Sequence, residues 1–161
     1  MILDSIHPSP LWISGVQTYD VTQLWFKNPL LRATARDVTA MIEFYNPGSA
    51  TPRLTVYGQW AITRGPGHIG FTSTTPTTDI PAGHTPVKLL VVLKHRADAS
   101  AYAYAAENVQ AHKDGRHPDF ELPAGECRMR VSLAGPNLER TFWFNVHNRG
   151  TDTHPMITGT T

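Results

Sequence analysis

Apolar side chains recur at every second position through most of this chain, and that spacing restricts the fold more than any other feature. In residues 37–45 the even positions are Val, Ala, Ile and Phe, and polar residues stand between several of them. A helix would repeat every 3.6 residues, so a period of two predicts a half-buried β-strand. The alternation returns in residues 53–62, where Gly58 indicates a bulge or a close approach of a neighbouring strand.

The clearest strand pair lies late in the sequence. Residues 127–133 and 138–146 both alternate apolar and polar side chains, and Gly135-Pro136-Asn137 supplies a turn between them. Such a pattern predicts a hairpin with one buried face. Phe142 is then expected to point inward and Trp143 outward.

Several short strands separated by turn signals predict an antiparallel sandwich of two β-sheets. Residues 87–95 are apolar on both faces, which is typical of a central strand covered on each side. The aromatic and β-branched residues at 19–27 indicate a further strand. A short edge strand is expected at residues 11–13. The expected core contains Phe44, Trp60, Val91, Val131 and Phe142, each on the apolar face of its strand.

Two segments are less regular. Residues 98–113 fit either a short strand followed by an irregular loop or a helix. The first interpretation is favoured because Tyr102 and Tyr104 alternate with Ala. Residues 148–161 are polar and predict a flexible tail, which leaves a single domain over residues 1–147.

Short motifs at the predicted strand ends resemble those of a known family. The motif Leu-Trp-Phe-Lys-Asn-Pro at 24–29, followed by Ala-Arg-Asp-Val-Thr-Ala at 35–40, is similar to the opening of bacterial and archaeal immunoglobulin-like domains of the cell-adhesion-related type. Ile-Pro-Ala-Gly-His at 80–84 and Leu-Pro-Ala-Gly-Glu at 122–126 resemble the corners before their later strands. The resemblance covers roughly residues 19–148. It implies an all-β, immunoglobulin-like antiparallel β-sandwich of about seven strands, with a binding or spacing role and no catalytic residues.

The nearly neutral charge balance excludes a dedicated electrostatic binder. The chain has 14 Lys and Arg against 13 Asp and Glu, a net charge of +1, so no nucleic-acid partner is expected. No apolar run reaches the ~18 residues that span a bilayer, so we expect no membrane insertion within this chain. The single Cys excludes a disulfide framework. No dinucleotide fingerprint or phosphate loop is present, and no cofactor is expected.

One loop concentrates potential metal ligands. His112, Asp114, His117, Asp119 and Glu121 lie close together in the sequence, and imidazole and carboxylate groups bind zinc and other divalent ions. Their spacing matches no standard zinc signature, and the Asp-Gly and His-Pro pairs are typical of a solvated turn. We therefore expect no bound metal.

Candidate catalytic groups are sparse. Cys127 lies on the inward face of its predicted strand, which indicates a buried thiol and not a nucleophile. The chain lacks the Gly-x-Ser-x-Gly motif of the nucleophile elbow. A pair of carboxylates for glycoside hydrolysis, drawn from distant strands, remains open as an alternative.

Outward aromatic residues give the strongest indication of a binding surface. Trp143 is expected opposite Arg128 or Arg130 on the outer face of the hairpin. Such a pair is typical of an interface hot spot and also of a cation–π pair that shields an exposed sheet, and the second interpretation is favoured. Tyr102 and Tyr104 are further candidates for a stacking surface, with packing beneath a loop as the favoured alternative.

The segment 53–62 is the expected docking edge. Its alternation places Tyr57, Gln59 and Ala61 on an outer face without charge. Unprotected strand edges accept a further strand or a packed sheet, so partner docking or self-association is expected here.

These features favour a non-enzymatic binding or assembly module, with a protein partner or a second copy of the chain. It fits a soluble domain of a larger protein. One alternative is an accessory or decoration subunit of a virion or surface layer. Another is a carbohydrate-active or metal-dependent enzyme built on a β-sandwich. The candidate interaction residues are Tyr57, Gln59, Tyr102, Tyr104, Arg130 and Trp143.

Overall fold

The computed structural model describes residues 1–13, 16–29, 33–62, 73–111, 115–122, 124–151 and 153–160. These residues form twelve strands, one short helix and one 3₁₀ turn. The strands are β1 (Ile2–Ile13), β2 (Val16–Lys27), β3 (Ala35–Tyr45), β4 (Leu54–Tyr57), β5 (Gln59–Ile62), β6 (Ser73–Thr75), β7 (Thr77–Ile80), β8 (Val87–His95), β9 (Tyr102–Ala103), β10 (Gly125–Gly135), β11 (Leu138–Asn148) and β12 (Met156–Thr160). Helix α1 (Ala106–Ala111) and the 3₁₀ turn (Pro118–Phe120) lie between β9 and β10.

The strands form two antiparallel sheets packed face to face, so the predicted all-β sandwich is confirmed. Sheet 1 has the order β1-β2-β8-β5-β6, and β9 pairs with β8. Sheet 2 has the order β12-β11-β10-β3-β4, and β7 pairs with β3. The described strands outnumber the expected seven because short pieces, such as β6, β7 and β9, extend the edges of both sheets.

The core fills the space between the sheets. Phe44, Trp60, Val91 and Val131 are buried in one hydrophobic cluster, as predicted. Phe142 is half-buried and packs against that cluster, with its ring centroid 5.1 Å from that of Phe26. The inward direction predicted for each of these side chains is therefore confirmed.

The late hairpin and the central strand also follow the sequence pattern. In the hairpin, Met129 pairs with Phe144 and Arg130 with Trp143. Every residue of β8 after Val87 is buried, because β2 covers one of its edges, β5 and β9 cover the other, and side chains pack on both faces. This continuous burial explains why β8 is apolar on both faces.

The prediction of a single strand over residues 53–62 is wrong, because this segment forms two strands in different sheets. β4 pairs with β3 in sheet 2, Gly58 follows, and β5 then pairs with β8 in sheet 1. A Cβ at Gly58 would lie 2.7 Å from Leu89 Cδ1 and 2.9 Å from Ala40 Cβ. Glycine is therefore needed where the chain crosses between sheets, and the close approach predicted at Gly58 is confirmed.

Three regions have more regular structure than the sequence predicted. β1 extends the expected edge strand at 11–13 to residue 2 and pairs with β2 along its whole length. Residues 98–113 contain the favoured short strand, β9, followed by α1 in place of the irregular loop. The segment predicted as a flexible tail carries β12, which pairs with Trp143–His147 of β11. The buried side chain of Ile157 joins the core and helps to hold this strand in place.

None of the described helices is long and apolar enough to cross a lipid bilayer.

Candidate functional site

The outer face of sheet 2 carries a group of aromatic and arginine side chains. The register aligns Arg130 with Trp143 on β11 and with Glu43 on β3, and it aligns Arg128 with Tyr45. Paired residues in neighbouring strands point to the same face. Because Met129 and Phe144 point into the core, these side chains point outward. We call Tyr45, Arg128, Arg130 and Trp143 the aromatic–arginine cluster.

Stacking contacts hold the cluster together. The Arg128 guanidinium carbon lies 4.5 Å from the centroid of the Trp143 ring, and that of Arg130 lies 5.6 Å from it. The Tyr45 and Trp143 centroids are 5.5 Å apart, with the rings tilted by 45°. Each cation–π contact at an exposed site contributes about 0.5–1 kcal/mol. The arrangement fixes the tryptophan and leaves one arginine on the surface.

The two arginines differ in their partners. Arg130 donates from Nε to the buried carboxylate of Glu43, and this hydrogen bond raises the pKa of Arg130. Burial is the main cause that raises the pKa of the neighbouring Tyr45 phenol, and the Glu43 carboxylate adds to it. Arg128 is exposed and stacks on Trp143. The Arg128 guanidinium is thus the cation in the cluster that a partner can reach most easily.

Exposed side chains extend the surface across sheet 2. Tyr57 on the edge strand β4 is 69% exposed. Thr141, Thr158 and Thr160 are exposed on β11 and β12, and the register places them on the same face as Trp143. The surface therefore runs from one edge of the sheet to the other, with the aromatic–arginine cluster near its middle.

The outer face of sheet 1 has a similar tryptophan in a different setting. Trp25 lies under the Lys88 ammonium at 4.4 Å, and its ring centroid is 4.4 Å from that of His7. Lys88 is buried, however, and burial lowers its pKa. On the same face, Tyr104 and Val109 of the segment around α1 pack against strand residues. The segment around α1 therefore covers part of this face, and Trp25 lies half-buried beside His7.

The predicted interaction residues divide between the two sheets. Tyr57, Arg130 and Trp143 lie on the outer face of sheet 2. Gln59 does not, because β5 belongs to sheet 1 and the side chain is only 7% exposed. Tyr104 is also buried, packed beside Val109, and Tyr102 is half-buried. Tyr104 therefore takes part in the packing beside α1, whereas half-buried Tyr102 lies beside Glu121 in an isolated β-bridge.

The loop with potential metal ligands is described only in part. His112 and Asp114 lie outside the described residues. His117 accepts a hydrogen bond at Nδ1 from the backbone N–H of Asp119 at 3.2 Å, which caps the 3₁₀ turn. Glu121 accepts a hydrogen bond from the Ser100 hydroxyl. Among the described residues, no three His, Cys, Asp or Glu side chains cluster closely enough to hold a metal ion.

The Cys127 thiol is buried in the core, as its inward position predicted. Burial raises its pKa to about 11. Because the thiolate is the reactive form of cysteine, this thiol is protonated and inert at neutral pH.

Sequence reasoning missed Tyr45 and Glu43 as members of the surface. Both lie on β3, and only the pairing of β3 with β10 brings them beside the arginines. It also missed the burial of the Lys94 side chain in the apolar strand β8. The sequence does contain a signal for this burial, because Lys94 lies within a run of residues that is apolar on both faces of the strand.

No protein-family model, curated protein or solved structure that we compared with this chain matches it.

Proposed function

We propose that this chain is a non-enzymatic binding or assembly module with an immunoglobulin-like fold. Immunoglobulin domains have strand order A-B-E-D in one sheet and G-F-C in the other. Lettered in chain order, β1-β2-β8-β5 corresponds to A-B-E-D, and β11-β10-β3 corresponds to G-F-C. β4 takes the place of an added strand beside C, and β12 extends the sheet beyond G. The shared order supports the immunoglobulin-like assignment.

The observation that carries the functional proposal is the exposed Arg128 stacked on Trp143. Tryptophan, tyrosine and arginine dominate the binding energy of protein interfaces, usually near the centre of the contact. The stack holds the Arg128 side chain in place before binding, so less conformational entropy is lost when a partner docks. The exposed donors of Arg128 match a carboxylate, so the partner presents an Asp or Glu side chain at this point.

The edge of the same sheet extends the proposed contact. β4 pairs with β3 and ends the order of sheet 2, and its exposed Tyr57 lies on the same face as the cluster. A partner protein, or a second copy of this chain, contacts the face at Trp143 and reaches the β4 edge at Tyr57. This retains the predicted docking role of residues 54–57 and removes residues 59–62 from it.

Matched substitutions on the two sheet faces test the proposal. Arg128→Glu and Trp143→Ser should weaken self-association measured by sedimentation, or partner binding measured after affinity capture, by about 30-fold or more. Trp25→Ser is the control, because it removes a similarly stacked tryptophan from the opposite face. Binding that is indifferent to Arg128→Glu, or equally weakened by Trp25→Ser, would contradict the proposed surface.

A further inference from the structure

One end of the sandwich holds a buried lysine that touches a side-chain amide from the other sheet. Lys94 on β8 is 1% exposed. Its Nζ contacts Oδ1 of Asn148, the last residue of β11, and also the backbone carbonyl oxygen of Gly150. The backbone carbonyl oxygen of Ala99 is 3.3 Å away. An amine and a carboxamide therefore face each other across the two sheets.

The orientation of the amide is fixed by a second contact. Asn148 Nδ2 donates to the carbonyl oxygen of Ala99 at 2.7 Å, which is also an acceptor for Lys94. Lys94 Nζ thus touches Oδ1 and shares an acceptor with Nδ2. The Asn148 Cγ atom is bonded to both of these atoms, so the electrophilic carbon lies next to the amine.

A buried carboxylate lies directly across the strand pair from the lysine. Asp20 on β2 pairs with Lys94 in the register and is 5% exposed. Its Oδ2 lies 3.1 Å from His154 Nδ1 and 3.5 Å from Arg96 Nε. Cross-strand neighbours point to the same face of a sheet. Asp20 and Lys94 therefore lie side by side on the face of sheet 1 that points into the sandwich.

We propose that Lys94 and Asn148 form an intramolecular amide bond that joins the two sheets. The lone pair of the neutral Lys94 amine attacks Asn148 Cγ, and the C=O electrons move to Oδ1. The new Nζ–Cγ bond remains when the tetrahedral intermediate collapses, and the Cγ–Nδ2 bond breaks. Asp20 accepts the proton lost by Nζ and transfers it to Nδ2, which leaves as ammonia. Atoms and electrons balance without an oxidant, a reductant or a cofactor.

The buried surroundings promote this reaction, which an amine and a carboxamide do not undergo readily in water. Burial lowers the pKa of Lys94 below 10.5, with a partial opposing effect from the Asp98 carboxylate, so the neutral nucleophile is more accessible than on the surface. The fold holds the two groups in contact, and such preorganisation replaces a bimolecular encounter with an intramolecular step. In the alternative, Lys94 stays an unreacted ammonium that donates hydrogen bonds to Asn148 Oδ1 and to the carbonyl oxygens of Ala99 and Gly150.

Mass spectrometry of the intact, denatured protein separates these outcomes. Amide formation lowers the mass by about 17 Da, the mass of the ammonia released as leaving group. Trypsin should then fail to cut after Lys94 and yield residues 89–96 joined to residues 141–149. The full sequence mass would overturn the proposal. So would a deficit confined to residues 141–149, which indicates cyclisation of Asn148 with its own backbone.

Variants assign the roles of the three residues. Lys94→Arg keeps a cation but no amine nucleophile, and Asn148→Ala removes the electrophile, so each should show the full mass of its own sequence. Lys88→Met is the control for a buried lysine on the same strand and should retain the loss. Asp20→Asn should abolish or greatly slow the loss, whereas Asp98→Asn, which removes the partner of Arg116 at the same end of the domain, should not. A complete cross-link in Asp20→Asn would overturn the proton-transfer role of Asp20.

Discussion

The crossover at Gly58 predicts that one added methyl group will destabilise the sandwich. In Gly58→Ala, the new Cβ would lie 2.7 Å from Leu89 Cδ1 and 2.9 Å from Ala40 Cβ, whereas carbon atoms in good contact are about 3.5–4.0 Å apart. Leu89 and Ala40 are both buried. The Gly58 backbone cannot retreat easily, because its N–H donates to the Ala40 carbonyl at 2.8 Å.

The expected magnitude follows from two opposing effects. Overpacking of a closed core lowers the free energy of unfolding by about 1–3 kcal/mol. Alanine also reduces the conformational entropy of the unfolded chain, which raises the free energy of unfolding by about 0.4–1 kcal/mol. A net loss of about 1–2 kcal/mol should lower Tm by roughly 2–8 °C for a chain of this size. Calorimetry and urea unfolding would both measure it.

Gly159→Ala is the matched control, because no heavy atom lies within 4 Å of the Cβ position at Gly159. It should leave Tm unchanged or slightly higher. A double-mutant cycle with Leu89→Ala adds a second check. Removing Cδ1 should make Gly58→Ala less costly, so the two changes should be non-additive. A Gly58→Ala protein as stable as the parent would refute the close approach of the sheets at this residue.

Three further predictions concern buried side chains. Phe44→Ala should cost about 3–5 kcal/mol in urea unfolding, and Phe142→Ala less, because Phe142 is only half-buried. Cys127, whose pKa burial raises to about 11, should not react with a thiol reagent at pH 8 until denaturant is added; rapid native labelling would contradict this. Burial also raises the pKa of Tyr104 from 10.0 to about 12. Its contribution to stability is complete below pH 10 and is lost as the pH rises toward 12, so Tyr104→Phe should flatten the alkaline fall in stability.

Alternation in the sequence predicted the strands well because it records which side of each strand is buried. The hairpin of β10 and β11 has the predicted inward residues, and β8 has the predicted bounds. The same signal failed at Gly58 for a physical reason. Val56 in sheet 2 and Trp60 in sheet 1 both face the one core between the sheets. A chain that crosses between sheets can therefore continue to bury every second side chain. Alternation alone does not detect such a crossing.

The candidate surface was predictable only where it is local. Arg130 and Trp143 face each other across a tight hairpin, and the turn position limited the predicted partner of Trp143 to Arg128 or Arg130. Tyr45 joins them through the pairing of β3 with β10, which links residues far apart in the sequence. Tyr104 is buried because α1 packs over sheet 1, and the segment 98–113 did not specify that helix. Non-local pairing and the covering of one face are set by tertiary packing.

The two ends of the described chain meet at the same edge of the sandwich. Leu3 on β1 and Gly159 on β12 line one cleft of about 450 Å³. Domains whose ends lie close together tolerate circular permutation and insertion into another chain. A short linker between these ends should also permit circular permutation, with new termini opened in the turn at residues 46–49. In any fusion, this domain should therefore insert into a surface loop of a host protein with little displacement of the host's own fold.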